Sequence, residues 1–161
     1  MILRSARLSL EPISPDLARR IVAREERPGD DWHREYPFED ELAPLSTLSA
    51  AKPSTTPFTM YLIRRADDGQ AVGGFGFFGP PGAAGQVEFG YGLVPSARGA
   101  GLATEAVRLA LEHAPAWGAR VAVADTGVTN IASRRVLERN GLADVSRDDA
   151  LVFYRRDFAS R

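Results

Sequence analysis

The stretch Val87–Ala106, VEFGYGLVPSARGAGLATEA, joins a strand pattern, a turn of small residues and the start of a helix. Apolar side chains alternate in its first part, and apolar residues recur at helical spacing after Gly101. Arg98 lies among glycines and alanines between these two elements. The first amides of a helix lack internal partners and carry partial positive charge, so the stretch predicts an anion-binding turn.

Two familiar phosphate-binding motifs do not fit this turn. A P-loop requires lysine and then serine or threonine after its last glycine, whereas Leu102 and Ala103 occupy those positions. The dinucleotide-binding fingerprint requires a third glycine where Thr104 stands, and it follows the first strand of a fold rather than the fourth. The turn therefore binds a different phosphate ligand, or it serves only to pack a strand closely against a helix.

The segments around this stretch predict a mixed α/β fold. Leu8 and Leu10 share one face of an N-terminal strand, and Ser14 and Pro15 suit the cap and first position of a helix. Two strands before the quoted stretch form a hairpin, and a strand, an amphipathic helix and a final strand follow it. The predicted order is β-α-β-β-β-α-β-α-β, with short helical turns and loops over 28–57. We expect one domain, residues 1–161, with a mixed central sheet and helices on both faces.

Composition excludes several classes of site and partner. Twenty basic and 21 acidic side chains give a net charge of -1, which offers no electrostatic reason to expect a nucleic acid or an anionic membrane as partner. The absence of cysteine excludes disulfides, thiolate metal ligands and a cysteine acyl-enzyme. The two histidines, His33 and His113, lie far apart, so no metal site is expected. The N-terminus lacks a signal-peptide pattern and no apolar run is long enough for a bilayer, so we expect a cytoplasmic protein.

Two motifs carry a resemblance to a known family. Arg98-x-x-Gly101-x-Ala103 resembles the Q/R-x-x-G-x-G/A signature of the GNAT acetyltransferases, and the quoted stretch is similar to the strand, loop and helix around it. Residues 130–142, NIASRRVLERNGL, are similar to the N-x-x-S-x-R-V-L-E-K-x-G-F helix of the branch that contains ribosomal-protein N-terminal acetyltransferases. The resemblance implies a GNAT fold over the chain, with acetyl-CoA as the cosubstrate whose pyrophosphate the turn binds.

The resemblance also implies which residues bind coenzyme A. Main-chain groups of Leu93 and Val94 are expected to contact the pantetheine arm, and Asn130 to contact the cofactor while it caps its helix. Ser133 matches a serine that this branch can place near the sulfur. The turn residues expected around the pyrophosphate are Arg98, Gly99, Ala100, Gly101, Leu102, Ala103 and Thr104.

Acetylation of an amine requires a group that removes a proton, because such an acceptor is protonated at neutral pH. Strand alternation places Glu88 on one face with Gly90 and Gly92, so a carboxylate adjoins a surface free of side chains. We predict Glu88 as the general base, as the family often uses a glutamate at this strand position. The alternative is an ordinary solvent-facing glutamate.

The group that assists the leaving thiolate is less sharply defined by the sequence. Many relatives carry a tyrosine four residues before the glycine that ends the last helix, and here that residue is Leu137. Ser133 is our catalytic candidate, since its hydroxyl would hydrogen-bond the thiolate. A surface serine is the alternative, and Tyr91 and Tyr154 remain candidates for the same role.

The acceptor site is expected in the irregular segment near the N-terminus. Residues 25–41 carry eight carboxylates and two arginines, with Trp32 and Tyr36 between them. A negatively charged, aromatic-lined rim suits a cationic amine or a protein N-terminus, so we predict Trp32 and Tyr36 as substrate-binding residues. The alternative is a solvated acidic loop whose aromatic side chains lie in the core.

Together these patterns predict an N-acetyltransferase that moves an acetyl group from acetyl-CoA to a primary amine. Without a cysteine to hold the acetyl group, direct transfer in a ternary complex is the expected route. One alternative is a CoA-binding sensor on the same fold that turns nothing over, and another is an enzyme that uses a longer acyl-CoA. A homodimer is possible, because dimers are common among relatives.

Overall fold

The computed structural model describes residues 1–159, so Ser160 and Arg161 of the predicted domain 1–161 lie outside the described residues. Over residues 1–159, eight strands form one mixed sheet in the order β1-β2-β3-β4-β5-β6-β8-β7. The strands are β1 (Leu3–Arg4), β2 (Leu8–Pro12), β3 (Met60–Arg65), β4 (Ala71–Phe77), β5 (Gln86–Leu93), β6 (Val121–Gly127), β7 (Ala143–Arg147) and β8 (Leu151–Asp157).

Four α-helices accompany the sheet in this part of the chain: α1 (Pro15–Val22), α2 (Leu42–Ser49), α3 (Leu102–His113) and α4 (Ile131–Arg139). Ser14 caps α1 by accepting a hydrogen bond from the Leu17 amide, and Pro15 is the first residue of the helix, as predicted. Helix α4 ends before Gly141, whose φ of 78° favours glycine. The local signals in the sequence therefore set these helix boundaries.

The sheet separates at one place. Strands β5 and β6 are parallel and pair only through Gln86, Val87 and Glu88, whereas β5 continues to Leu93. Every other pair of neighbouring strands is antiparallel. Beyond Glu88, β5 is no longer paired with β6. This leaves a gap between the two strands into which polar and backbone groups can project.

The two faces of the sheet differ strongly at β4 and β5. Antiparallel pairing brings four glycines onto one face, which we call the glycine face: Gly74, Gly76, Gly90 and Gly92. The opposite face carries the aromatic side chains of Phe75, Phe77, Phe89 and Tyr91. Glu41, just before α2, lies against the glycine face, and Ser133 of α4 contacts Tyr91 on the aromatic face. This arrangement confirms a mixed sheet with helices on both faces.

Three elements differ from the sequence prediction. The two-residue strand β1 and the strand β7 were not expected, and the segment 28–57 contains α2 as a complete helix. All five residues of β7 are exposed, so no alternation of apolar and polar residues marks it as a strand. It is held by pairing with β8, which is a tertiary contact.

Candidate active site

A cavity of about 790 Å³ lies at the end of β5, beyond the residues that pair with β6. Its walls come from the turn before α3, helix α4, strands β4 and β5, and the segment around the start of α2. The predicted site residues that line it are Leu93, Arg98, Gly99, Gly101, Leu102, Ala103, Thr104, Asn130 and Ser133. The tertiary structure thus brings together the two motifs that are about 30 residues apart in the sequence.

The turn before α3 presents unpaired backbone donors to this cavity. Gly99 and Gly101 have φ values of 86° and 81°, a conformation that glycine adopts without strain. Within residues 1–159, the amides from Gly99 through Thr104 donate no hydrogen bond, and the first helical bond is from the Glu105 amide to the Gly101 carbonyl. Several free N–H groups at a helix N-terminus form a site for an anionic group.

Hydrogen bonds and an ion pair formed by Arg7 and Glu105 hold this turn in place. The Arg7 guanidinium donates to the Ala100 carbonyl (2.7 Å) and pairs with the Glu105 carboxylate (2.8 Å), which also accepts a hydrogen bond from the Ser5 hydroxyl. Burial favours the neutral form of Glu105, but the hydrogen bonds from Ser5 and Arg7 outweigh it and keep the pKa of this carboxyl below its ordinary value. Glu105 is therefore a buried anion that anchors α3 to the N-terminal strands.

Arginine side chains supply positive charge around the cavity. Arg98 donates through Nε to the Leu93 carbonyl (3.0 Å), and its guanidinium lies 4.8 Å from the centre of the Phe38 ring. Arg135 and Arg139 of α4 also line the cavity. Among residues 1–159, neither of these two side chains forms a hydrogen bond or ion pair that would neutralise it. Their four-residue spacing on α4 is a signal that the sequence analysis missed.

The α4 side of the cavity holds a pair of hydroxyl groups. Asn130 accepts a hydrogen bond from the Ser133 amide (3.1 Å) and so caps α4 while it lines the cavity. The Tyr91 hydroxyl lies 2.8 Å from Ser133 Oγ and donates to the Ser133 carbonyl (3.1 Å). Burial raises the pKa of Tyr91 to about 12, so this phenol is protonated at neutral pH.

A model of the acetyltransferase (GNAT) domain matches residues 7–143. The chain belongs to the GNAT acetyltransferase family. This membership implies acetyl-CoA-dependent acetyl transfer, and the free amides of the turn, with the cationic side chains beside them, suit the phosphate groups of coenzyme A.

Solved GNAT structures share the fold over nearly the whole chain. A putative GNAT-family acetyltransferase from Bordetella pertussis is 26% identical, with a TM-score of 0.65 and coverage of 97% of this chain and 99% of that one. The ribosomal-protein-S5-alanine acetyltransferase from Vibrio fischeri is 13% identical, with a TM-score of 0.68 and coverage of 98% and 96%. A ribosomal L7/L12 alpha-N-protein acetyltransferase in complex with coenzyme A is 19% identical, with a TM-score of 0.67 and coverage of 98% of both chains. No curated protein sequence matches the chain.

Several predicted residues of this GNAT domain lie outside the cavity lining. The Val94 amide donates to the Val72 carbonyl (2.8 Å), so it is not free to bind the pantetheine arm. Ala100 contributes its carbonyl to Arg7 instead of facing the cavity. Glu88 is exposed on the glycine face, as alternation predicts, but beyond the residues that line the cavity.

The aromatic pair expected at the acceptor site is in the core. Trp32 and Tyr36 are 8% and 5% exposed, and their rings pack edge to face with centroids 6.0 Å apart. Neither lines the cavity, because the segment around them folds against the sheet through a bridge from Trp32 to Ala71. The structure therefore supports the alternative that the sequence left open, in which these aromatic side chains contribute to folding.

Two acidic residues of this segment, Asp40 and Glu41, nevertheless line the cavity. Glu41 is 7% exposed and lies on the glycine face, where an added Cβ on Gly74 would be 2.9 Å from Glu41 Oε1. Within the described residues, neither carboxylate oxygen has a hydrogen-bond partner. Burial raises the pKa of Glu41 to about 8; the nearby Gly74 amide opposes this increase without completing a hydrogen bond. The sequence places Glu41 in the right segment but does not distinguish it from seven neighbouring carboxylates.

Residues 1–159 contain neither a candidate metal site nor a membrane-spanning helix. In this part of the chain, no group of three or more histidine, aspartate and glutamate side chains is arranged to hold a metal ion. Over the same residues, every helix is too short or too polar to cross a bilayer.

Proposed function

We propose that this GNAT domain transfers an acetyl group from acetyl-CoA to a primary amine by direct transfer in a ternary complex. The observation that carries the proposal is one cavity whose lining includes Gly99 and the residues 101–104 with unpaired amides, the Tyr91–Ser133 hydroxyl pair and Glu41. These groups correspond to the three requirements of the reaction: an anion site for the donor, a proton source for the leaving group and a carboxyl group for the amine acceptor.

Different residues of the chain would bind the phosphate groups and the pantetheine arm of acetyl-CoA. The turn amides, Arg98, Arg135 and Arg139 would hold phosphate groups, while Leu93 and Asn130 line the cavity where the pantetheine arm is expected. Acetyl-CoA, when bound, supplies the thioester that is attacked. Because the acetyl group passes directly to the amine, no residue of the chain needs to carry it.

The proton balance defines what the side chains have to do. A protonated amine loses one proton before its nitrogen attacks the carbonyl carbon; the N–C bond then forms, the C–S bond breaks and the thiolate takes up a proton. Ser133 and Tyr91 form one hydrogen-bonded unit, so we propose Tyr91 as the proton donor and Ser133 as the hydroxyl that orients it or contacts the sulfur. Glu88 stays the sequence-based prediction for the base, acting through water from its exposed position.

The ribosomal-protein branch is our proposal for the nearest functional relatives. It is supported by the helix NIASRRVLERNGL and by the likeness in fold to two ribosomal-protein acetyltransferases. A protein N-terminus is accordingly one acceptor to test, beside small amines. Cytoplasmic location and a homodimer remain predictions of the sequence.

Release of coenzyme A thiol across a panel of amines and N-terminal peptides tests the function. Thiol release that depends on an amine, with acetylated amine recovered by mass spectrometry, is the expected result. Tight acetyl-CoA binding without thiol release for any acceptor would instead favour a CoA-binding sensor. Comparison of acetyl-CoA with longer acyl-CoA donors identifies the acyl length, and Glu88→Gln tests the predicted base.

A further inference from the structure

The Glu41 carboxylate is the feature of the cavity that folding alone does not explain. A buried ionisable group without a hydrogen-bond partner is costly, and proteins seldom retain one unless a ligand or another group compensates it. In residues 1–159 both oxygens of Glu41 are buried and unpaired, and Glu41 lines a cavity large enough for a ligand. A ligand group that donates hydrogen bonds and carries positive charge would supply the missing partner and stabilise the ionised carboxylate.

The glycine face provides a route to this carboxylate. Gly92 lies directly opposite Gly74 across the β4–β5 pair, and nothing lies within 4 Å of the position that a Cβ on Gly92 would occupy. The neighbouring positions are covered, since Met60 lies over Gly76 and Phe78 lies over Gly90. A slim chain that runs across Gly92 between these apolar side chains reaches Glu41 over Gly74.

We propose that Glu41 is the acceptor-binding residue of this domain, and that its carboxylate pairs with the ammonium group of an aliphatic primary amine and takes one proton from it. The inference rests on the proposed function and names the chemistry of its acceptor. The carboxylate becomes a carboxylic acid, the ammonium becomes a neutral amine, and the nitrogen lone pair is then available for attack. This assigns to Glu41 the proton acceptance that the sequence predicts for Glu88.

Binding of an amine without acetyl-CoA tests the proposal directly. The probe is pentylamine, with 1-pentanol as a matched ligand that lacks the charge. Titration calorimetry at pH 7 in two buffers of different ionisation enthalpy measures the protons released on binding. Because the free Glu41 is mostly protonated at that pH and pentylamine arrives as a cation, close to one proton is expected to leave per amine bound.

Matched variants connect this signal to Glu41. Glu41→Gln is isosteric and neutral, whereas Glu39→Gln makes the same change at an exposed neighbour that does not line the cavity. We expect Glu39→Gln to bind pentylamine and release protons like the wild type, and Glu41→Gln to lose the proton release and at least roughly tenfold in affinity. An unchanged affinity and proton count in Glu41→Gln would overturn the proposal.

Kinetics then separate this proposal from the proposed function. In assays with pentylamine and with the dipeptide amide Ala-Ala-NH2, Glu41→Gln should raise KM for the amine at least roughly tenfold and leave KM for acetyl-CoA within about twofold. The probe with the lower wild-type KM shows whether the amine comes from a small molecule or from a peptide N-terminus. If the wild type acetylates neither these probes nor any amine of the wider panel, the proposed function fails, and calorimetry still decides the role of Glu41. Loss of proton release in Glu88→Gln but not in Glu41→Gln would contradict the assignment.

Discussion

Replacement of Glu41 by glutamine should change how the free energy of unfolding depends on pH. Burial raises the pKa of this carboxyl to about 8, whereas the ordinary glutamate value is 4.5. Between these values the folded protein holds one proton more than the unfolded chain, so this group's contribution to stability decreases as pH rises. The contribution is fully present below about pH 4.5 and is lost as the pH rises through about 8.

The expected size follows from the difference between the two pKa values. The wild type loses about 1.4 kcal/mol of unfolding free energy per pH unit through this group, and at most roughly 5 kcal/mol over the whole window. Glutamine has no proton to lose in this range, so the loss is absent from Glu41→Gln. Its amide is also buried without an evident partner, which shifts its stability at every pH but leaves the slope unchanged.

Urea denaturation of the ligand-free protein in steps from about pH 5 to about pH 9 measures this slope. The stability of Glu41→Gln relative to the wild type should increase steadily with pH, and that of Glu39→Gln should stay nearly constant because Glu39 is exposed. Parallel curves for wild type and Glu41→Gln would refute the argument, since they would mean that Glu41 is equally ionised in the folded and unfolded chains.

Three further predictions concern the rest of the site. Gly99→Ala and Gly69→Ala both place alanine at positive φ with open space around it, so each should lower the free energy of unfolding in urea by about 1 kcal/mol. Only Gly99→Ala should raise KM for acetyl-CoA, because only Gly99 lines the cavity. An equal KM in both variants would argue against the turn as the donor site. Tyr91→Phe removes the proposed proton donor and should lower kcat about a hundredfold with little change in KM for acetyl-CoA; wild-type kcat in steady-state assays would remove Tyr91 from the mechanism. Arg7→Ala leaves the Glu105 carboxylate without its ion pair and should lower the free energy of unfolding in urea by about 1–3 kcal/mol at neutral pH. This difference should diminish as the pH falls and Glu105 becomes protonated. A loss that is the same at every pH would point to packing alone.

Much of the fold could be predicted because its signals are local. Ser14 and Pro15 start α1, Asn130 starts α4 and Gly101 precedes α3, each through chemistry within one helical turn. Strand β7 could not be predicted, because all its residues are exposed and only pairing with β8 defines it. The proposed donor site could be recognised for the same reason as the helices, since a helix N-terminus and its preceding glycines are contiguous in the chain.

The acceptor side depends on contacts that no local pattern records. Alternation alone put Glu88 on the glycine face, and the acidic segment was recognised, but both aromatic side chains chosen from it lie in the core. Glu41, in the turn before α2, packs against Gly74, which is about 30 residues away in sequence. Its burial there raises the pKa of its carboxyl group.

By itself the sequence determined the family, the order of most elements and the glycine-rich turn before α3, because adjacent residues produce each of these. Only the tertiary structure decided that Glu41 is buried against Gly74, that Tyr91 and Ser133 form one hydrogen-bonded unit, and that Arg7 holds the turn through the Ala100 carbonyl. The pKa shift of Glu41 requires burial, and a hydrogen bond between residues distant in sequence requires that they lie close in space. Both conditions are met only once the chain has folded.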